Sequence, residues 1–348
     1  MKEIYFKGSK IFEFNDDSAI QLVGNNNYLI RTISDIYYKI FSGYRFSDID
    51  IEAMNGYYPE VRENGKALKK NDILVIKLSD MEDVSEQLTI KRNSILVKHI
   101  LSLSSDLLIN QAMEKVDKSL VELSICIDNL IEEKLPITEM SIKTGISDVN
   151  LDKIIKNFID INFVSLDDER VPLWLSKDLQ VIDLFINMIE LILEEGKKTR
   201  IIIDRLDSRM EIGVYKELVD RLFNLAGKYS SFGIWIIPSN EKGVFVDYRI
   251  FDNTYILNDD IIKLGDFDIT YESICRNYPD NIIPEEQEVL RSLLQLLPFH
   301  TSEKKYPATK EIIIMSIFLE LLGEEKDIGI RKDHLSKLEY NFLTSSKQ

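Results

Sequence analysis

The chain has 348 residues, of which 45% are hydrophobic and 29% are charged, a balance typical of globular proteins and not of disordered ones. This length predicts two or three domains and allows a large core. The formal net charge of −16 argues against a nucleic-acid partner, because an acidic surface repels phosphate, unless the basic residues gather on one face.

Cysteine and histidine are too scattered to predict a metal site or a disulfide framework. The two cysteines, Cys126 and Cys275, belong to no ligand-spaced pattern, and the three histidines are equally dispersed. The longest apolar stretch, Ile312–Leu322, is shorter than the roughly 20 residues that cross a membrane. Residues 1–5 lack the apolar run of a signal peptide. We therefore expect a cytoplasmic protein.

Short runs in the first 80 residues predict strands around one helix. Turn-forming residues at Gly24–Asn27 separate the third strand from an amphipathic helix. The predicted elements are strands at Glu3–Phe6, Lys10–Phe14, Ile20–Val23 and Ile73–Ile76, and a helix at Tyr28–Phe41.

The middle of the chain has the periodicity of helices. Apolar residues three and four apart predict an amphipathic helix from Met113 to Glu133, which ends before Pro136. A second long helix is predicted at Lys177–Glu195, with Gly196 just past its end. This second helix is apolar over more than one face, which favours a position between layers or between subunits.

Strand patterns return after residue 197. Predicted strands at Arg200–Asp204 and Phe232–Ser239 flank a helix at Val214–Lys228, and this order with apolar strands favours a parallel sheet. The remaining predicted elements are strands at Val244–Ile250 and Thr254–Leu257 and helices at Glu285–Leu297 and Thr309–Leu322.

Together these patterns predict an α/β fold with a P-loop-hydrolase-like head and a degenerate phosphate loop. The head is discontinuous, at residues 1–80 and 197–265. An inserted α-helical leg domain occupies residues 81–196, and an extra C-terminal helical segment occupies residues 266–348.

The phosphate loop itself is missing its essential residues. Such a loop has the pattern G-x-x-x-x-G-K-[ST], in which backbone amides, lysine and hydroxyl hold the phosphates and magnesium. At the corresponding place, Gly24–Thr32, there is no second glycine and no lysine–hydroxyl pair. Gly196–Thr199 lacks the upstream glycine and leads into a strand. We expect no enzyme activity; the alternative is an NTPase or nuclease with an atypical phosphate site that uses Asp204 and Asp207.

A helix-turn-helix pattern in the middle offers a second alternative, a transcriptional regulator. Residues Thr138–Ser147 are followed by a helix with apolar residues at helical spacing, so residues 147–159 would read the major groove. The three aspartates and two lysines of this segment make a poor face for DNA. They are Asp148, Asp152 and Asp160, with Lys153 and Lys156.

The order of the parts, with the strand sequences Ile73–Ser79 and Arg200–Ser208, resembles the accessory spacer-acquisition (adaptation) protein of type II-A CRISPR systems in its long form. The resemblance implies a ring-shaped homotetramer that encloses double-stranded DNA, often at its ends, in a basic central hole. It also implies no nuclease or ATPase activity, and a role in antiviral defence beside the spacer-integrating complex and the effector nuclease. Some members of that family bind calcium, so Ca²⁺ is a possible cofactor.

Clusters of basic residues are the candidate DNA contacts, because sequence-independent binding needs only phosphate contacts. They are Lys66, Lys69 and Lys70; Lys91, Arg92 and Lys98; and Lys197, Lys198, Arg200, Arg205 and Arg209. Two acidic groups offer oxygen ligands to calcium, Asp80 with Glu82 and Asp83, and Asp167 with Asp168 and Glu169. Neither has EF-hand spacing, so no metal site is predicted.

Overall fold

Two β-sheets and their covering helices form one of the two units of the chain. The computed structural model describes residues 1–91, 94–134, 142–147, 149–164, 168–279, 283–299, 309–323 and 338. Contacts group residues 1–83 with 193–348 in this first unit, and residues 84–192 in the second. The three-part division at residues 80, 196 and 265 stays a prediction, because contacts within one chain do not show which parts fold alone.

The strands of the described residues are β1 (Lys2–Phe6), β2 (Ser9–Phe14), β3 (Ala19–Val23), β4 (Glu60–Glu63), β5 (Lys66–Ala67), β6 (Leu74–Leu78), β7 (Thr199–Asp204), β8 (Phe232–Ile237), β9 (Thr254–Leu257) and β10 (Ile261–Lys263). The helices are α1 (Asn27–Ser42), α2 (Asp48–Ala53), α3 (Met81–Gln87), α4 (Ile95–Ser102), α5 (Leu107–Lys134), α6 (Leu151–Phe158), α7 (Asp178–Glu194), α8 (Ile212–Lys228), α9 (Phe267–Asn277), α10 (Glu286–Leu290) and α11 (Thr309–Leu321).

The larger sheet is mainly parallel, with the strand order β10-β9-β3-β8-β7-β6. Only β10 runs antiparallel, as a hairpin partner of β9. Ile201 of β7 lies opposite Ile76 of β6 and Ile234 of β8, and every residue of β8 is buried. Strands that read as continuous apolar runs are expected where both faces of a parallel sheet are covered.

Alternate residues of the strands face two separate cores. On one face, Leu22 packs with α1 and with the fully buried Trp235. On the other face, the next residue, Val23, packs with the apolar residues of α9, α10 and α11. The C-terminal helices therefore cover the sheet face opposite to α1, and they belong to the same unit as the sheet.

The smaller sheet is antiparallel, with the order β2-β1-β4-β5, and it closes the α1 core. Phe14 of β2 meets the rings of Trp235 and Tyr37 edge-on, at centroid distances of 5.0 and 5.8 Å. Such edge-to-face pairs add to the stability from burial. The sequence patterns predict β1 and β2, but they predict neither β4 and β5 nor a separate second sheet.

A buried ion cluster joins both sheets to α1. The carboxylate of Asp16, in the loop before β3, contacts the ammonium of Lys2 and the Nε of Arg200, the latter at 3.2 Å. The hydroxyl of Tyr37 donates to the same carboxylate. Each of these four residues is at most 3% exposed. Because charges out of water need compensation, the cluster holds these four segments in one arrangement.

Helices dominate residues 84–192, which contain α4, α5, α6 and most of α7. Helix α5 has 28 residues, all described and none buried, and is about 42 Å long. With α6 it lines an open apolar groove of about 640 Å³. No helix among the described residues is long and apolar enough to cross a membrane.

Two predicted elements differ in the structure. Val244–Ile250 is not a strand: its first part is irregular and residues 248–253 form a 3₁₀ helix. The side-chain amide of the buried Gln21 bonds both backbone groups of Phe245, at 2.8 and 3.3 Å, so a side chain replaces the neighbouring strand. The predicted helix Glu285–Leu297 is α-helical only as far as Leu290, and a π-helical turn follows.

Replacing Asp16 with asparagine should lower the free energy of unfolding by about 3–5 kcal/mol, because Lys2 and Arg200 stay buried but lose their buried counterion. Urea denaturation measures the change. The exposed neighbour Asp17 also contacts both cations but is 62% exposed, so D17N should cost about 1 kcal/mol or less. A D16N protein as stable as D17N would contradict the expected role.

The buried carboxylate of Asp16 should also make the free energy of unfolding depend on pH in acid. Burial acts to raise the pKa of Asp16, but Arg200 and Lys2 outweigh it and hold the pKa below its ordinary value. A carboxyl with a lowered folded-state pKa stabilises above its unfolded pKa, about 4, and stops doing so as pH falls through the lowered value. The stability difference between wild type and D16N should therefore shrink in that acidic range.

Candidate functional site

The loop between β3 and α1 has its backbone amides occupied by the chain itself. The amide of Asn25 donates to Asn258 Oδ1 at 2.8 Å, and that of Asn26 donates to the carbonyl of Leu257 at 3.0 Å. The Asn26 side chain caps α1 by accepting from the amide of Leu29. Gly24 has φ +129°, and a Cβ there would lie 2.3 Å from the Leu257 carbonyl oxygen. The β9–β10 turn therefore packs directly against this loop and occupies two of its amides.

The ammonium group of a lysine near the end of β6 lies between a carboxylate of α1 and the carboxylate that ends β7. Lys77 Nζ is 2.6 Å from Asp35 Oδ1 and 2.8 Å from Asp204 Oδ2. Burial acts to lower the pKa of Lys77, but the hydrogen bonds to Asp204 and Asp35 outweigh it and raise that pKa. A fixed positive charge from the protein thus neutralises Asp204 at the end of β7.

Asp207 is held by the loop after β8. Its carboxylate accepts from the amide of Ser239 at 2.9 Å, from the hydroxyl of Ser239 at 2.6 Å and from Asn240 at 3.4 Å. Gly243 packs so closely that a Cβ would lie 2.3 Å from Asp207 Oδ2. Asp207 thus anchors this loop, and its oxygens are already bonded.

Two of the predicted DNA contacts lie at this carboxyl edge of the parallel sheet, and both are paired. Arg205 has a left-handed backbone, φ +57°, and donates to Asn27 Oδ1 at 3.2 Å. Its Nε lies 3.8 Å from Asp204 Oδ1. Arg209 is 61% exposed and lies 3.4 Å from a carboxylate oxygen of Asp80.

Four predicted contacts gather at the opposite, amino edge of the sheet. Lys69 and Lys70 precede β6, and Lys197 and Lys198 precede the neighbouring β7; the carbonyl of Lys198 accepts from the amide of Leu74. Lys197 pairs with Glu195 at 2.9 Å. Lys69, Lys70 and Lys198 are exposed and make no ion pair with any described residue. The six residues of β7, about 20 Å in length, separate this edge from the arginines.

The other predicted contacts are dispersed. The structure contradicts the prediction that Arg200 contacts DNA: the residue is 1% exposed, and its guanidinium contacts Asp16 and the carbonyls of Thr199 and Ser231. Lys66 is exposed on β5. Lys91 is exposed but paired with Glu86, Lys98 is half-buried in α4, and Arg92 lies outside the described residues.

The described acidic groups do not fit a calcium site. Asp83 accepts from the amides of Ser79 and Asp80, and Asp80 accepts from the amide of Asp83 and faces Arg209. Among the residues that the structure describes, no group of histidine, cysteine and carboxylate side chains could hold a metal ion. Asp167 lies outside them.

A known family matches almost the whole chain. The family described as CRISPR-associated protein Csn2 subfamily St matches residues 6–331. The chain belongs to this family. The predicted resemblance is thereby confirmed, and the chain is a CRISPR-associated accessory protein. No curated protein sequence matches the chain significantly.

A solved structure supports the fold of this Csn2 family chain. The crystal structure of Stu0660 of Streptococcus thermophilus matches with a TM-score of 0.81 and 17% identity, covering 100% of this chain and 99% of that one. At that identity the likeness concerns the fold alone. It confirms the mixed α/β class.

The helix-turn-helix alternative is described only in its second half. Helix α6 begins after the cap Asn150 and exposes Phe158, with 81% of its surface accessible. The expected first helix lies in Thr138–Ser147 before the Gly145 turn; residues 138–141 lie outside the described residues, and residues 142–147 are not helical.

The sequence patterns did not predict the roles of Lys77 and Asn258. A lone lysine in the buried strand Leu74–Leu78 is a signal for an internal ion pair, because an unpaired charge there would be too costly. Asn258 has no comparable signal, since its role depends on β9 lying next to β3.

Gly243→Ala should destabilise the Csn2 family chain by about 1–3 kcal/mol, because the added methyl group collides with Asp207 and overpacks the loop. Thermal unfolding measures the effect. Gly227→Ala is the matched control: no atom lies within 4 Å of its Cβ position, and alanine favours its helix by about 0.5–1 kcal/mol. Equal stability of the two variants would contradict the tight contact.

Proposed function

We propose that this chain binds double-stranded DNA through the phosphate backbone, without reading sequence, as part of a ring-shaped homo-oligomer that acts in CRISPR adaptation. The observation that carries the DNA contact is the convergence of Lys69, Lys70 and Lys198 at one sheet edge, exposed and free of ion pairs with described residues. We term these three residues the lysine edge.

Unpaired lysines are the better phosphate contacts of the two basic groups. A lysine without a protein counterion offers its whole charge to phosphate and releases bound ions from the DNA. Arg205 and Arg209 already face Asp204 and Asp80, so a phosphate would have to displace a carboxylate. Because this contact is confined to one edge of the sheet, DNA binding is compatible with the net charge of −16.

We infer that the phosphate loop is degenerate and that the chain hydrolyses no nucleotide. The amides of Asn25 and Asn26 are bonded to the β9–β10 turn, and Lys77 neutralises Asp204. Neither the phosphate nor the magnesium of a nucleotide would find free ligands there. ATP turnover by the purified protein should stay at background.

The apolar surface of the helical unit supports self-association. Leu123 and Leu130 of α5 are each 54% exposed, and Trp174 is 81% exposed. Clusters of exposed apolar side chains often mark interaction sites in soluble proteins. Contact between copies of this chain would bury this apolar surface. In a closed ring, which we expect to be a tetramer, every copy has both of its interfaces occupied.

The salt dependence of DNA binding tests the lysine edge. Alanine at Lys69, Lys70 and Lys198 together should weaken binding of linear duplex and reduce the slope of log affinity against log salt by about 2–3, since each phosphate contact contributes about 0.9. Fluorescence anisotropy at several salt concentrations measures it, with calcium or a chelator added to test the implied cofactor.

Arg205 and Arg209 provide the control for the lysine edge. Replacing Arg205 and Arg209 with alanine should leave the slope within about one of the wild-type value. The reverse result, a loss with the arginines and none with the lysines, would place DNA at the carboxyl edge. Equal affinity for closed circular and linear duplex would contradict entry of DNA ends into a ring.

Glutamate substitutions on α5 test whether its apolar face is an interface between copies of the chain. The double variant L123E/L130E should reduce the particle mass measured by light scattering, because carboxylates would have to be buried in the interface. Ile269, 69% exposed on α9, gives the matched control I269E, which should keep the wild-type mass. An unchanged mass for L123E/L130E would exclude this face as the interface.

A further inference from the structure

An exposed aromatic ring stands at the end of α1, beside the lysine edge. Gly43 has a left-handed backbone, φ +77°, and its amide and that of Tyr44 both bond the carbonyl of Lys39. This turn returns the chain over the end of the helix, so that Lys39 Nζ lies 4.7 Å from the centre of the Tyr44 ring.

The ring of Tyr44 is fixed although it is 45% exposed. Its hydroxyl donates to Asp50 Oδ2 at 3.2 Å, and Asp50 is itself held by the capping box with Ser47. Phe46 meets the ring edge-on, at a centroid distance of 5.2 Å. A ring already held in place loses little conformational freedom when a ligand stacks on it.

Besides Lys39, which lies over the ring, two further cations belong to this part of the chain. Lys70 passes beside Gly43, with Cδ and Nζ at 3.6 and 3.9 Å from the position of a Gly43 Cβ. Arg45 follows the tyrosine, is exposed and has no ion pair among the described residues. With Lys39 they place positive charge around an accessible aromatic face, and the carbonyl end of α1 favours cations there.

This arrangement matches the chemistry that recognises unpaired nucleotides. Aromatic side chains stack on free bases and neighbouring cations hold the phosphates, whereas bases inside a duplex are already stacked on each other. Lys70 belongs to both the lysine edge and this cluster, so a DNA end whose backbone follows the edge brings its terminal nucleotides to Tyr44.

We propose that Tyr44, with Lys39, Arg45 and Lys70, forms a stacking site for an unpaired base at a DNA end. The chain then distinguishes duplexes with single-stranded overhangs from blunt ones. This inference rests on the proposed DNA binding and adds the class of end that is preferred.

Affinity for matched duplexes with blunt ends and with short 3′ or 5′ overhangs tests the site. The wild-type protein should bind one of the overhang duplexes about tenfold more tightly than the blunt one, as expected for one stacked base. Y44F keeps the ring and should keep the preference. Y44L keeps apolar packing without the ring and should abolish the preference.

Two further variants keep the test decisive. Y248A removes a tyrosine that is 63% exposed elsewhere in the same unit and should leave the preference unchanged. R45A removes an exposed side chain, and it should lower the salt slope for overhang DNA by about one.

The outcomes separate this inference from the proposed function. Salt-dependent binding with equal affinity for blunt and overhang ends, or a preference that survives in Y44L, overturns the stacking site and leaves duplex binding intact. Binding of overhang DNA that needs Tyr44, without any binding of blunt duplex, supports the stacking site and overturns the duplex proposal.

Discussion

The buried carboxylate of Asp16 is the constraint on which the two-sheet unit of this protein depends. It joins β1 through Lys2, β7 through Arg200 and α1 through Tyr37, with almost no access of water. Apolar packing alone would tolerate small shifts between these segments, whereas a buried charge needs each partner in place. The two edges of the parallel sheet, where the basic residues lie, are therefore presented in a fixed relation.

Much of the fold could be predicted from the sequence because the periodicity of apolar residues is local. The helix predicted at Tyr28–Phe41 is observed at Asn27–Ser42, and the strand predicted at Arg200–Asp204 is observed at Thr199–Asp204. Val244–Ile250 failed as a strand because Gln21, more than 200 positions earlier, satisfies its backbone. No local pattern records a partner at that separation.

The candidate site was harder to predict because a sequence does not show which charged residue pairs with which. Lys198 and Arg200 lie two positions apart, yet one is exposed and the other is buried against Asp16. Strand geometry explains the difference: Lys198 precedes β7, while Arg200 lies inside it. The sheet also separates Lys198 from Arg205, which the sequence places in one cluster, by putting them at opposite ends of the same strand.

The closed loop between β3 and α1 has a consequence for timing. Proteins that hold a nucleotide in such a loop can use its hydrolysis to time a conformational change, because the loop changes its conformation when a phosphate leaves. Here the amide of Asn26 is bonded to Leu257 of the same chain, and that acceptor is never released as a product. If the chain hydrolyses no nucleotide, as proposed, a competing partner or the ions around its ligand would have to drive any cycle of binding and release.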